Sequence, residues 1–207
     1  MHKPTLELLN AAKNIIRYLK GTNEYKLKLG NLKSDNILEL YTDARYGMDS
    51  VGGTLIQWKG SPIHWSSRGI KTKPTSSAEA EIYALSRGLK SLQWTYYLFE
   101  ELNLKPKIKV YCDNQAAIAM TRNGPTITTQ HIEIHWASIN RILFVTKAEL
   151  IYCPSNKMLA DLLTKPLGKC RSVCGDVSEV MGKTDTHEVG SINLDGDDEV
   201  AASGLVV

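Results

Sequence analysis

The sequence predicts an α/β protein, a five-stranded mixed sheet with helices on its faces. Three observations carry that reading. Strand patterns separated by turn signals follow one another between residues 37 and 66, as in an antiparallel meander. A helical repeat then runs across residues 77–102. Two strand–helix units follow, and such units return their strands in parallel, which makes the sheet mixed. The 207 residues, 43% of them hydrophobic, suit one ordinary domain with some excess length and a sizeable core.

Taken in order, TLELLNAAKNIIRYLK (5–20) places Leu8, Leu9, Ala12, Ile15, Ile16 and Leu19 on a helical stripe. Lys13, Arg17 and Lys20 lie on its solvated side, and Gly21-Thr22-Asn23 stops it. Ile37 to Thr42 reads as a strand ending at Asp43-Ala44, and Gly47 to Ser50 as a turn. Val51 to Trp58 is a second strand, Lys59-Gly60 a tight hairpin turn, and Pro62 to Ser66 a third strand. Across Ser77 to Leu102, the residues Ala78, Ile82, Leu85, Leu89, Leu92, Tyr96 and Phe99 recur at spacings of three and four. Lys107 to Cys112 is the fourth strand, and a helix from Asn114 to Thr121 ends at Asn123-Gly124-Pro125. A helical pattern from His131 to Phe144 precedes the fifth strand, Glu149 to Cys153. A last short helix, Asn156 to Lys165, is closed by Pro166. Beyond roughly Gly175 the chain is small, acidic and aperiodic, the composition of a disordered tail.

Composition narrows the function classes. No apolar run reaches the roughly eighteen residues of a transmembrane helix. Met1-His2-Lys3-Pro4-Thr5 lacks the apolar core of a secretory signal, so export is not expected. The net charge of +3 is unevenly spread: residues 172–207 carry −7 and residues 1–171 carry +10. A basic body of that size favours a polyanionic partner without deciding on one. Cys112, Cys153, Cys170 and Cys174 are too sparse for a disulfide framework, and no CxxC or nearby His suggests zinc. A reducing compartment is expected.

Four carboxylates stand where chemistry gathers. Asp43 closes the first strand, Glu81 lies early in the long helix, Asp113 closes the fourth strand, and Asp161 sits on the last helix. Ligands collect where the strands of α/β sheets end. Two hard cations held close together need several carboxylates, because each oxygen offsets part of the positive charge. Each acid also has a structural reading: Asp113 as a helix cap, Asp43 as a turn acid, Asp161 as an early-helix acid facing the macrodipole. Ser76-Ser77-Ala78-Glu79 fits a capping box in which Glu79 reaches back to the Ser76 amide. At about 100° per residue, Glu81 falls roughly 60° from the centre of the apolar stripe and Glu79 about 95°. Glu81 is therefore the acid able to reach a strand end.

YTDARYG (41–47), SSAEAEIYAL (76–85), CDNQAAI (112–118) and NKMLADLLTKPL (156–167), in that order, resemble the ribonuclease H domain of copia-type LTR retrotransposon Pol polyproteins. PIHWSSRGIKTKPTSSAEAE (62–81) continues the match, and KPTLELLNAAKNIIRYLKGT (3–22) is similar to the end of the preceding reverse transcriptase and its connection. The resemblance implies a ribonuclease H-like fold over residues 31–170 and a polymerase remnant over 1–30; it fades past Leu167, before the acidic tail of 171–207. It implies that Asp43, Glu81, Asp113 and Asp161 are the catalytic, metal-binding acids. The implied activity is endonucleolytic hydrolysis of the RNA strand of RNA–DNA hybrids during reverse transcription, with two Mg2+ ions (Mn2+ as substitute). Asp43 would bridge the ions, Glu81 and Asp113 hold one, and Asp161 the other. Candidate nucleic-acid contacts are Ser77, Asn114 and Gln115 for 2′-hydroxyls, and Arg68, Lys71 and Lys73, in the loop before the long helix, for phosphates. The implied partners are the hybrid and the reverse transcriptase portion of the same polyprotein, with no membrane. The implied setting is intracellular, a cytoplasmic virus-like particle or the nucleus.

One departure concerns the loop Cys153-Pro154-Ser155-Asn156, which lacks the His that cellular ribonucleases H carry there. His131 and His135 match a family HI…H stretch, for which packing or phosphate contact is expected rather than catalysis. Three rivals stand beside this reading. One is a catalytically silent or domesticated module that keeps the fold and binds nucleic acid. Another is a polymerase fragment, but YTDA has Ala44 where the polymerase motif needs a second Asp. The third is another ribonuclease H-like enzyme, such as an integrase or exonuclease, whose acids are spaced differently.

Overall fold

A computed structural model describes residues 5–23, 29, 35–124 and 127–165. These fall into two units, one of Leu29–Lys165 and another that holds the first helix. That helix, α1 (Leu6–Gly21), is N-capped by Thr5, whose hydroxyl accepts from the Leu8 N–H at 3.3 Å. Its sides are amphipathic as predicted, and none of its residues is buried. The predicted tail, with Cys170 and Cys174, lies outside the described residues.

The larger unit is built on β1 (Ile37–Arg45), β2 (Val51–Trp58), β3 (Ser61–Gly69), β4 (Lys107–Cys112) and β5 (Glu149–Tyr152), in sheet order β3-β2-β1-β4-β5. The meander pairs antiparallel, whereas β4 and β5 run parallel to β1. Lys59 and Gly60 join β2 to β3 with φ of 52° and 72°, the positive pair that a two-residue hairpin requires to match strand twist. Two strands outrun their predicted ends. Pairing of β1 with β2 continues through Ala44↔Gly52 and Arg45↔Val51, so Asp43 lies inside the strand, opposite Gly53. Pairing of β3 continues to Arg68 and Gly69, which corrects the placement of Arg68 in a loop.

The long helix, α2 (Ser77–Glu101), packs against β1 and β2. Leu85, Leu89 and Leu92 meet Leu38, Leu40, Ile56 and Val110 in a core where all seven are fully buried. Burying each such side chain contributes about 1.5–3 kcal/mol before the entropy of ordering it. Gly88 sets how closely helix and sheet approach, since a Cβ there would fall 2.6 Å from Thr42 Cγ2. After β4 come α3 (Gln115–Asn123), a 3-10 turn at Ile127–Ile132 and α4 (Glu133–Thr146), which packs on α2. The helix expected from His131 therefore begins two residues later.

The predicted last α-helix is not one. Residues 155–163 form two 3-10 turns, Ser155–Lys157 and Leu159–Leu163. Their bonds run three residues back: Met158 N–H to the Ser155 carbonyl, Asp161 to Met158, and Thr164 to Asp161 at 3.2 Å. Length does not decide this geometry, since α3 is an α-helix of nine residues. The segment is held by packing instead: Cys153, Met158 and Ala160 seat against Tyr41 and Tyr111. Gly53 admits it to the sheet, because a Cβ at that position would lie 2.8 Å from Thr164 Cγ2 and 3.0 Å from the Ala160 carbonyl.

Candidate active site

Four elements bring the four acids together. Asp43 comes from β1, and Asp113 follows β4 directly, on the neighbouring parallel strand. Glu81 projects from the second turn of α2, and Asp161 from the 3-10 turn that lies over β1 and β2. Asp43, Glu81 and Asp161 are 1%, 5% and 3% exposed, and Asp113 is partly buried. Oxygen atoms of Asp43, Asp113 and Asp161 lie within 4.8 Å of one another, and Glu81, Cys112 and Asp113 form a second such group. Asp113 belongs to both groups.

The structural readings of these acids do not hold as sole roles. Asn114, not Asp113, caps α3, its side-chain oxygen accepting from the Ala117 N–H at 3.0 Å. Asp43 sits in a strand rather than a turn. Asp161 faces Lys165 and the other acids, with Lys165 Nζ 2.7 Å away.

Crowding like charges in a dry place shows in the proton affinities. Burial, with the Asp43 and Asp113 charges behind it, pushes Glu81 from 4.5 up to about 9. Its Oε1 accepts from the Ala44 N–H at 3.1 Å, while Oε2 is buried without a hydrogen-bond partner. Burial also raises Asp161, with Asp43 and Asp113 adding and Lys165 opposing. Lys165 Nζ reaches Asp43 Oδ1 at 3.3 Å as well, and the Thr164 hydroxyl donates to Asp43 Oδ2. On Asp113, the Ser155 hydroxyl donates to Oδ2 at 2.9 Å. Burial and the nearby Glu81 carboxyl push the Cys112 thiol well above its usual range, so it remains a protonated thiol beside an oxygen site.

This donor set fits divalent cations. The converging groups are hard carboxyl oxygens, and Oε2 of Glu81 is a buried polar atom without the partner that such atoms normally have. Among the candidate nucleic-acid contacts, Ser77 and Gln115 are exposed at the starts of α2 and α3, and Lys71 and Lys73 are exposed in the loop after β3.

Glu79 has a different environment. The Ser76 hydroxyl caps α2 by accepting from the Glu79 N–H at 3.2 Å, but the Glu79 carboxylate does not return to the Ser76 amide as the capping box predicts. It reaches one residue further back, accepting from the Thr75 N–H at 2.7 Å and the Thr75 hydroxyl at 2.6 Å. Tyr83 OH donates to Oε1 at 2.5 Å, and His131 Nε2 lies 3.0 Å from the same oxygen. Burial alone would raise this acid; the donors from Thr75, Tyr83 and His131 outweigh it and hold Glu79 down to about 2. His135 packs edge-on against Tyr83 and meets the Ser86 hydroxyl at 3.2 Å. Both histidines thus contact side chains of α2, His131 at Glu79 and His135 at Tyr83 and Ser86. Sequence reasoning missed Ser155, Thr164 and Lys165. The last two stood inside the quoted NKMLADLLTKPL motif, with Lys165 four residues after Asp161.

No family model matches the chain. Among curated proteins it is 34% identical over 181 residues to the retrovirus-related Pol polyprotein from transposon RE1 of Arabidopsis thaliana, over 82% of this chain. It is 34% identical over 172 residues, 80% of this chain, to that from transposon TNT 1-94 of Nicotiana tabacum. The chain spans 12–13% of the length of these relatives. Among solved structures, LC11-RNase H1, isolated from compost, matches with a TM-score of 0.51 at 24% identity, covering 62% of this chain and 92% of its own. That structural likeness establishes the fold. Among the described residues no helix is long and apolar enough to cross a membrane. The chain therefore belongs to the retrovirus-related Pol polyproteins of transposons, as a ribonuclease H-fold portion of them.

Proposed function

We propose that this portion hydrolyses the RNA strand of RNA–DNA hybrids during retrotransposon reverse transcription, with Asp43, Glu81, Asp113 and Asp161 as its catalytic acids. The observation that carries the reading is the convergence of these acids from four separate elements, three of them buried, with one carboxyl oxygen, Glu81 Oε2, left without a hydrogen-bond partner. Mg2+, or Mn2+ in its place, supplies when bound an activated water and a counter-charge for the leaving 3′-oxygen. Asp43, Asp113 and Asp161 would hold two such ions together with Glu81, whose buried carboxyl would have to release its proton to solvent to join them. Ser155 and Thr164 orient Asp113 and Asp43 through their hydroxyls.

Selectivity for RNA falls to short polar groups at the rim. Ser77 offers a hydroxyl, Gln115 an amide, and Asn114 its Nδ2, since its side-chain oxygen is engaged as the α3 cap. These groups suit 2′-hydroxyls displayed across a wide, shallow minor groove. Arg68, Lys71 and Lys73 supply phosphate contacts that fix the register of the duplex. The reverse transcriptase portion of the same polyprotein is the natural partner for presenting the hybrid.

The test is cleavage of a labelled strand in three duplexes, RNA–DNA, RNA–RNA and DNA–DNA, by the full chain with Mg2+. RNA in the hybrid alone should be cut, with EDTA and Asp43→Asn each abolishing cleavage. Equal cleavage by wild type and Asp43→Asn removes the assignment. An Asp43→Asn protein that still binds hybrid while wild type cuts nothing favours the silent binding module.

A further inference from the structure

Lys165 stands where a divalent ion held by Asp43 and Asp161 would stand. Its ammonium lies 2.7 Å from Asp161 Oδ1 and 3.3 Å from Asp43 Oδ1, the two carboxylates that gather with Asp113 within 4.8 Å. Those carboxylates are almost wholly buried, whereas the Lys165 side chain is 38% exposed. The ammonium therefore closes over the pair from the solvent side on a flexible stem. Asp43 is satisfied on both oxygens without any metal, by Lys165 on Oδ1 and Thr164 on Oδ2. A metal ion needs the same oxygens at about 2.1 Å, too close for an ammonium to keep both contacts.

We propose that Lys165 is a built-in counter-ion that competes with divalent metal for Asp43 and Asp161. In the metal-free chain it holds the two carboxylates together against their mutual repulsion. When metal takes these oxygens, Lys165 withdraws toward solvent and its positive charge stays at the mouth of the site. The inference rests on the reading of the four acids as metal ligands, and the experiment separates the two.

Mn2+ alone is titrated into the full chain, with calorimetry and the electron paramagnetic resonance of free Mn2+ as readouts. Wild type, Lys165→Met, Lys165→Arg and Asp43→Asn are compared, and melting temperatures are taken in EDTA and in saturating Mn2+. Lys165→Met should bind Mn2+ more tightly by about tenfold, whereas Lys165→Arg, keeping the charge, stays near wild type. In EDTA Lys165→Met should melt below wild type, and saturating Mn2+ should narrow or close that gap. Unchanged or weaker Mn2+ binding by Lys165→Met, with a melting deficit equal in EDTA and Mn2+, makes Lys165 a plain structural partner and overturns the proposal. If Lys165→Met unfolds in EDTA, refolding on addition of Mn2+ supports competition and failure to refold overturns it. Mn2+ bound by neither wild type nor Lys165→Met sinks the metal-ligand reading itself. Binding by wild type that is lost in Asp43→Asn and unaffected by Lys165→Met sinks only the role of Lys165.

Discussion

Replacing Glu81 with Gln should stabilise the metal-free protein, and by more as the pH rises. The wild-type carboxyl titrates at about 9 in the fold against an ordinary value of 4.5. Between those two values the folded chain keeps a proton that the unfolded chain has released. Stability therefore falls with rising pH, by about 1.4 kcal/mol per unit for this one group. Gln at the same place can still accept the Ala44 N–H and has no proton to lose, so its stability lacks this slope. The difference in unfolding free energy, Glu81→Gln minus wild type, should grow by about 3 kcal/mol between pH 5 and pH 7. Urea unfolding of the full chain in EDTA at both pH values measures it. A difference that does not change with pH, or a wild type that gains on the variant toward pH 7, refutes the argument that burial among like charges keeps this carboxyl protonated.

Glu79 should behave in the opposite sense. Its carboxylate is held down to about 2, so the stability it contributes is complete above pH 4.5 and disappears as the pH falls toward 2. Glu79→Gln should cost about 2 kcal/mol at neutral pH, with the gap closing in acid; urea unfolding at pH 7 and pH 3 reads both. Gly53→Ala pushes a Cβ to within 2.8 Å of Thr164 and 3.0 Å of Ala160. It should cost about 1–3 kcal/mol and, by shifting the turn that carries Asp161, weaken Mn2+ binding. Calorimetry alongside urea unfolding checks both effects.

Much of the sheet was legible because its rules are local. Val51–Trp58 and Lys107–Cys112 are bounded by Lys59-Gly60 and Pro106, and both strands have the predicted ends. Asp43 and Asp113 were both legible as strand-end acids, but that they share one site depends on β1 and β4 being neighbours, which the sheet order supplies. The overrun of β1 and β3 depends on pairing with β2 across the sheet, which the strand's own residues do not encode. The segment 155–163 misled for a related reason: its apolar spacing suits an α-helix, yet its geometry is set by Gly53 and by Tyr41 and Tyr111 from distant strands. Glu79 was read as a simple cap because its partner His131 lies 52 residues away. The Lys165 pairing was within reach of sequence reasoning at its i,i+4 spacing from Asp161, but its contact with Asp43 was not.

The most direct test of the convergent acids is a crystal of the full chain soaked in Mn2+ and measured at the manganese absorption edge. Two anomalous peaks coordinated by oxygens of Asp43, Glu81, Asp113 and Asp161 are predicted, with Lys165 turned away from Asp43. Peaks bound elsewhere, or a site whose carboxylates remain tied to Lys165 at saturating Mn2+, would contradict the account.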